Sequence, residues 1–426
     1  MARWCAAATT PASKPTRCPR RLSALLGLAL AIATPLRAQP SLEPADAGVS
    51  LQRSLKLPAW IDFSVDLDAE PLVNAGGAGT RGAWSQQLTL GAAFGSGLGQ
   101  EPGQWQEADH WTLNTQLMAF SGRANYGQLI GAAFPLQSTD HPSGLWLTEV
   151  SLERQRGRGP LSVKAGVLAL NPDFVDMPMF DLYVHSALDN TLNLTLFGLP
   201  INPLVAPGAM ASLHLGDAGN LRIGAYWLNA QTQLAELFGV DPLQPMLQGN
   251  AQLVQWTFSH LPGARRVDRP IRLGERRIER QLPPPLLQLG AIHSSTDQQG
   301  RNRVVYGALN LPVALPIGLD HRLWAGVNVG LDPSQNSAPL VLSGGWASQG
   351  LVPGRPHDVL ALGLGRTSFG PAEAGQSYEG VIELNYSAAL SQSLSLGPVL
   401  QLILNPGGSG DVPSIVAAGL QVQLSL

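Results

Sequence analysis

Residues Gly419 to Leu426 read GLQVQLSL. Leu420, Val422, Leu424 and Leu426 take every second position, with Gln421, Gln423 and Ser425 between them. A period of two sends alternate side chains to opposite faces of an extended chain, so this stretch predicts a two-faced β-strand. Two environments suit such a strand. A soluble fold would press the leucines into a core, whereas a transmembrane barrel would turn them to lipid and leave the glutamines in an aqueous interior.

The same alternation returns along the chain. IDFSVDLD sets Ile61, Phe63, Val65 and Leu67 against Asp62, Ser64, Asp66 and Asp68. It recurs at Trp111 to Leu117, Trp146 to Glu153, Leu161 to Val167, Leu221 to Trp227, Leu253 to His260, Leu323 to Val329, Ile382 to Ala388 and Leu400 to Leu404. No stretch of comparable length carries a 3.6-residue apolar period, so the chain is read as all-β. At roughly 22 to 26 residues per strand and connection, it would form about 15 to 18 strands, the range of water-filled porins. The expectation is a transmembrane antiparallel β-barrel of about 16 strands. A secreted or surface carbohydrate-binding β-protein without a channel is the alternative.

The first 38 residues read as a secretory signal. Arg17, Arg20 and Arg21 precede the apolar run LSALLGLALAIATP (Leu22 to Pro35), and Arg37-Ala38 before Gln39 offers a cleavage site. A Pro-rich lead over residues 39–58 and a barrel over 59–426 would follow. Cys5 and Cys18 both fall in the presequence, so the mature chain would have no disulfide, thiol nucleophile or thiolate metal site. Without the six basic residues of that segment, 21 Lys and Arg stand against 30 Asp and Glu, which gives no general attraction to nucleic acid. Charged residues make up 13% of the chain, about half the soluble norm, as expected where lipid replaces water.

Catalytic signatures are missing. Gly95, Gly97 and Gly99 in GSGLG run into Gln, Glu and Pro rather than a helix, the eight histidines lie at no metal-binding spacing, and there is no GxSxG elbow. The chain is therefore read as no enzyme, with no cofactor and no metal. Two stretches break the strand pattern. Met177 to Asn202 is long and apolar, suited to a loop folded into a pore or against its wall. Gly263 to Arg280 carries seven arginines against three acids, suited either to anionic lipid or phosphate or simply to a solvated loop.

The later third contains GLVPGRPHDVLALGLG (Gly350 to Gly365) and YEGVIELNYSAALSQSLSLGPVLQLILNPGG (Tyr378 to Gly408). In order and spacing these resemble the C-terminal motifs of the carbohydrate-selective porins of the OprB family. NAGGAGTRGAW (Asn74 to Trp84), LTEVSLERQRGRGPLSVKAGVLALNPDF (Leu147 to Phe174) and INPLVAPGAMASLHL (Ile201 to Leu215) resemble the family's earlier strands. Val399 after Pro398 replaces an Asp of the family pattern, and Leu426 replaces an aromatic end. The resemblance implies an outer-membrane channel of a Gram-negative-type bacterium, cyanobacteria included, that passes sugars and other small polar solutes. It leaves open a homotrimer among outer-membrane lipids. Cyanobacterial members commonly carry an N-terminal cell-wall-binding domain, for which Gln39 to Trp60 leaves no room.

If the apolar parity faces lipid, the opposite parity faces the lumen. That rule selects Asp62, Asp66, Glu149, Glu153, Lys164, Arg222, Arg322, Trp324 and Glu383 as pore-lining candidates. Carboxylates and guanidinium groups can bind sugar hydroxyls in pairs, and an aromatic face can stack on a sugar ring.

Overall fold

The computed structural model describes residues 51, 55–95, 109–156, 159–188, 198–231, 233–234, 248–261, 264–267, 270–274, 276–297, 300–371 and 373–426. The expected signal segment and most of the Pro-rich lead lie outside them. Sixteen antiparallel strands close into one barrel. In chain order these begin with β1 (Ile61–Gly76), β2 (Gly82–Gly95), β3 (His110–Gly122), β4 (Gly144–Gln155), β5 (Leu161–Leu168), β6 (Ala206–His214), β7 (Asn220–Trp227) and β8 (Gly249–Phe258). After a separate hairpin of β9 (Ile271–Leu273) and β10 (Arg276–Ile278), the wall resumes with β11 (Leu286–Thr296), β12 (Gly300–Pro312), β13 (Asp320–Gly330) and β14 (Leu340–Gln349). It ends with β15 (Val359–Ser368), β16 (Tyr378–Ala389), β17 (Leu394–Leu404) and β18 (Ile415–Ser425).

The chain's last strand closes the wall against its first. Ser425 lies opposite Asp66 and Ile415 opposite Gly76, and Leu426 and Val65 exchange two backbone hydrogen bonds beyond them. Closure leaves no strand edge to seek a partner. The period of two then decides what faces where. Leu420, Val422 and Leu424 share the outer face with Leu152, Ile223, Leu323, Leu364 and Leu384, which are 41–54% exposed, as befits side chains whose solvent is lipid.

Charge follows the same parity. Every acid of the sixteen barrel strands points inward: Asp62, Asp66, Asp68 and Glu70 in β1, Glu149 and Glu153 in β4, Asp320 in β13, and Glu379 and Glu383 in β16. Of the strand cations, Lys164, Arg222 and Arg322 point inward. Arg154, Arg301, Arg303 and Arg366 point outward, each within three residues of a strand end. That is headgroup depth, away from the bilayer midplane where an Arg or Lys costs about 2–4 kcal/mol.

Both chain ends of the barrel share one rim, where most connections are short; the opposite rim carries the connections 123–143, 169–205 and 228–248. Short turns mark the periplasmic side and long loops the outside. Outward aromatics stand at both rims, Trp84, Trp227 and Tyr378 at the loop-bearing one and two clusters at the terminal one. Trp60, Phe63 and Phe94 form one cluster, with centroid separations of 6.4 and 6.2 Å, and Trp256 stacks on Phe258 at 5.4 Å. Such rings suit an interface that is apolar on one side and wet on the other. The Arg-rich hairpin also lies at the terminal rim, with Arg272 opposite Arg277.

The parity assignment is directly testable. Leu420→Arg would place a guanidinium against lipid in mid-strand and should lower the stability of the assembled barrel by about 2–4 kcal/mol. Gln423→Arg, on the inner face, should assemble normally. Urea unfolding in lipid vesicles, followed by the gel shift between boiled and unboiled protein, reads both; equal stabilities would refute the assignment.

Candidate pore constriction

The barrel interior is narrowed by two connections that fold inward. Residues 123–143 pack Tyr126, Ile130 and Leu136 against Leu72, Ile403, Ile415 and Ala417 of the wall. The described part of 169–205 divides its apolar side chains between two areas of wall. Leu170, Phe174, Val175, Leu199 and Ile201 cover Met210, Tyr226, Leu253, Ile292 and Tyr306. Met177, Met179, Phe180, Tyr183 and Leu188 cover Trp324, Ala347, Val359, Ala361 and Val381. The wall makes room for them: a Cβ on Gly363 would lie 2.6 Å from Leu188 Cδ1, and one on Gly345 2.8 Å from the Tyr183 hydroxyl. Met177 to Asn202 thus does fold into the barrel wherever it is described.

A loop inside a barrel carries backbone amides that have lost water, and the wall supplies acceptors for them. Glu383, fully buried, accepts the amides of Val184 (2.7 Å) and His185 (2.8 Å) and the Gln401 side chain (3.0 Å). Glu379 accepts Ala133 N–H and Gly407 N–H, both at 2.7 Å. Glu70 accepts the amide and hydroxyl of Thr139 and the hydroxyl of Ser138. Gln255 Oε1 accepts Val175 N–H at 2.9 Å. That contact, with burial of its side chain, holds Val175 at φ 72°, a left-handed conformation costly for a β-branched residue.

Between the two loops and the wall lies a cavity of about 340 Å³. The barrel contributes Asp68, Gln87, Gln421 and Gln423; the loops contribute Gln137, Thr139, Asp140, Asp181, Tyr183 and His185 among others. The glutamines of the terminal strand therefore face the water path.

All eight principal candidates, and Glu153, sit on the inner face, in three settings. Asp62 and Asp66 continue from Asp68 towards the terminal rim. Glu149, Lys164 and Arg222 converge on the start of the longer loop: Lys164 Nζ is 2.8 Å from Glu149 and 3.0 Å from Asp173, and Arg222 Nη1 donates to the Asp173 carbonyl at 2.6 Å. Arg322, Trp324 and Glu383 are covered by protein. Arg322 donates to Asp320 (2.6 Å) and to the Pro283 carbonyl (3.0 Å), and Trp324 Nε1 donates to the Tyr183 hydroxyl (2.8 Å). Sequence reasoning did not single out Glu70, Glu379, Asp140, Gln137 or His185. Glu70 and Asp68 continue the acidic parity of β1, and Glu379 stands four residues before Glu383 in the quoted motif, so part of the signal was present. The loop residues have no periodicity to betray them. Among the described residues no cluster of His, Cys, Asp and Glu is placed to hold a metal.

Residues 318–426 match the sequence model of the carbohydrate-selective porin, OprB family. Over that last quarter the chain is similar to the porins of this family. Of the stretches that suggested this resemblance, Gly350 to Gly365 and Tyr378 to Gly408 fall within the matched residues, and Asn74 to Trp84, Leu147 to Phe174 and Ile201 to Leu215 fall outside them. No curated protein matches the sequence. Among solved structures, the barrel is similar to OprB from Pseudomonas putida at high pH, with TM-score 0.70 and 18% identity over 88% of this chain and 96% of that one. The low-pH structure of the same protein matches with TM-score 0.53 and 16% identity over 91% and 100%. At these identities the likeness is one of fold, a closed 16-strand antiparallel barrel. Family match and barrel together support an outer-membrane carbohydrate channel of a Gram-negative cell, and indicate a channel rather than an enzyme.

Two predictions follow from the loop anchors. Glu383→Leu leaves two buried amides without an acceptor, at about 1–3 kcal/mol each. The barrel should still close while the loop leaves its seat, so single-channel conductance should rise and the loop should become protease-sensitive; unchanged conductance would show that Glu383 is not the anchor. Burial also pushes the His185 imidazole down to about 3. Its neutral form stabilises the seated loop at neutral pH, and that contribution is lost as pH falls below the free value of about 6.5. On the other loop Asp140, raised by burial to about 6, works in the opposite sense and gains as pH falls through that value. In a Glu383→Gln background, where the acceptor of Val184 and His185 cannot titrate, amide exchange at Val184 to Leu188 should therefore quicken between pH 6.5 and 4 while that at Asn125 and Tyr126 does not; equal behaviour of the two loops would refute this.

Proposed function

We propose that this protein, after loss of a signal peptide at residues 1–38 and with a Pro-rich lead at 39–58, acts as an outer-membrane diffusion channel for sugars and similar small hydrophilic solutes. The observation that carries the proposal is the polar cavity of about 340 Å³ between two inward loops in a closed barrel, lined by side-chain amides, carboxylates and hydroxyls. A porin accelerates no reaction; it offers a wet opening whose width and lining set what passes. Accordingly no residue is assigned a catalytic role, and no cofactor.

In this reading Asp62, Asp66, Glu149, Lys164 and Arg222 border the water path. Arg322, Trp324 and Glu383 set its shape from behind, by fixing the segments that narrow it. Outward arginines near the strand ends meet lipid phosphates, and the barrel assembles as a homotrimer in the outer membrane of a Gram-negative bacterium, cyanobacterial or otherwise.

Extraction should require detergent, and unboiled protein should run as a compact band that boiling abolishes. Reconstituted liposomes should swell faster in monosaccharide than in trisaccharide solution. Freely soluble protein with no such band would restore the reading of a carbohydrate-binding protein without a channel. Vesicles that swell no faster than protein-free ones would rule out the channel.

A further inference from the structure

The lumen is charged asymmetrically. Of the nine inward carboxylates of the barrel strands, Glu70, Glu379 and Glu383 are buried on loop amides and Glu149 and Asp320 are paired with cations, which leaves Asp62, Asp66, Asp68 and Glu153 against three inward cations that are already engaged. Lys164 is held between Glu149 and Asp173, Arg222 donates to the Asp173 carbonyl, and Arg322 is fully buried on Asp320. Around the central cavity the lining includes Asp68, Asp140 and Asp181 and no Lys or Arg. Carboxylates on a low-dielectric wall around a narrow aqueous path concentrate cations and repel anions.

A second observation concerns hydrogen bonding. Two residues of that lining carry buried polar atoms that no group among the described residues satisfies, Gln137 Oε1 and His185 Nε2. His185 Nδ1 accepts the amide of Ala187 at 3.1 Å, which places the imidazole proton on Nε2. An unmatched acceptor and an unmatched donor thus lie buried in residues of the cavity wall, while Gln87, Gln421 and Gln423 add side-chain amides to the same lining. Side-chain amides able to bind hydroxyls, unmatched polar groups in the wall behind them and excess negative charge together suit a polyhydroxylated solute bearing a cationic group.

We propose that the constriction favours positively charged polyhydroxylated solutes, protonated amino sugars foremost, over acidic sugars of the same size. This rests on the channel reading, and one experiment separates the two. In planar bilayers holding the full mature protein across a KCl gradient, the zero-current potential should have the sign of cation selectivity, with a permeability ratio of about three- to tenfold. Liposomes should swell faster with glucosamine hydrochloride than with sodium glucuronate, glucose lying between. Asp66→Asn combined with Asp68→Asn, in barrels shown to be folded by the gel shift, should bring the ratio towards unity while conductance persists. Conducting channels with no cation preference, or a preference unmoved by the double substitution, would overturn this inference alone. Absence of conductance would overturn it together with the channel reading.

Discussion

The constraint on which the interior depends is the burial of loop amides inside a barrel. Once residues 169–188 enter the lumen their N–H groups can be satisfied only by the wall or by trapped water. Glu383 answers two of them with one carboxylate and takes a third hydrogen bond from Gln401. Glu379 and Glu70 do the same for residues 132–139. A charge-assisted hydrogen bond is stronger than one between neutral groups, and an acceptor with two oxygens can hold two successive amides in register. The width of the passage is therefore set by three carboxylates that a solute need never touch.

This arrangement explains why acids and cations are sorted by parity. An outward carboxylate would face lipid with nothing to bind, whereas an inward one finds amides, hydroxyls or water. Outward arginines survive because their stems lie on apolar wall while their heads reach the polar zone. Arg154 adds a cation–π contact to Trp111 at 5.3 Å, and Arg366 one to Tyr378 at 4.7 Å, so both use a neighbouring ring at the membrane boundary.

Strand class, barrel closure and inward parity were legible because they rest on a period of two, which lipid on one side and water on the other enforce. Ten strands showed it. Others did not, and β14 and β15 show why. Their inner positions include Gly345, Ala347, Val359, Ala361, Gly363 and Gly365, small or apolar because Tyr183, Ala187 and Leu188 lie against them. With protein on the inside and lipid on the outside, the polar half of the alternation vanishes and the strand reads as a glycine-rich apolar run. The site was legible to the same degree. Inward residues could be named from parity, but whether a residue such as Arg322 meets water or a loop depends on contacts nearly forty residues distant, with Pro283.

Asymmetry of the interior follows from the same cause. From β6 round to β16 much of the lumen wall is a dry core against the longer loop, with Tyr226, Ile292, Tyr306, Trp324 and Val381 all under 5% exposed. Water is displaced towards β18, β1 and β2, where Gln421, Gln423, Asp68 and Gln87 face the cavity. The clean alternation of GLQVQLSL is thus a property of position. Leu420, Val422 and Leu424 meet lipid, Gln421 and Gln423 border the cavity, and the shorter inner loop packs instead on Ile415 and Ala417 of the same strand. The contrast is lost where the inner face is small and apolar beneath the longer loop, as on β14 and β15, and it survives where the inner position is a buried polar anchor, such as Glu383 beneath the same loop or Arg322 against Pro283.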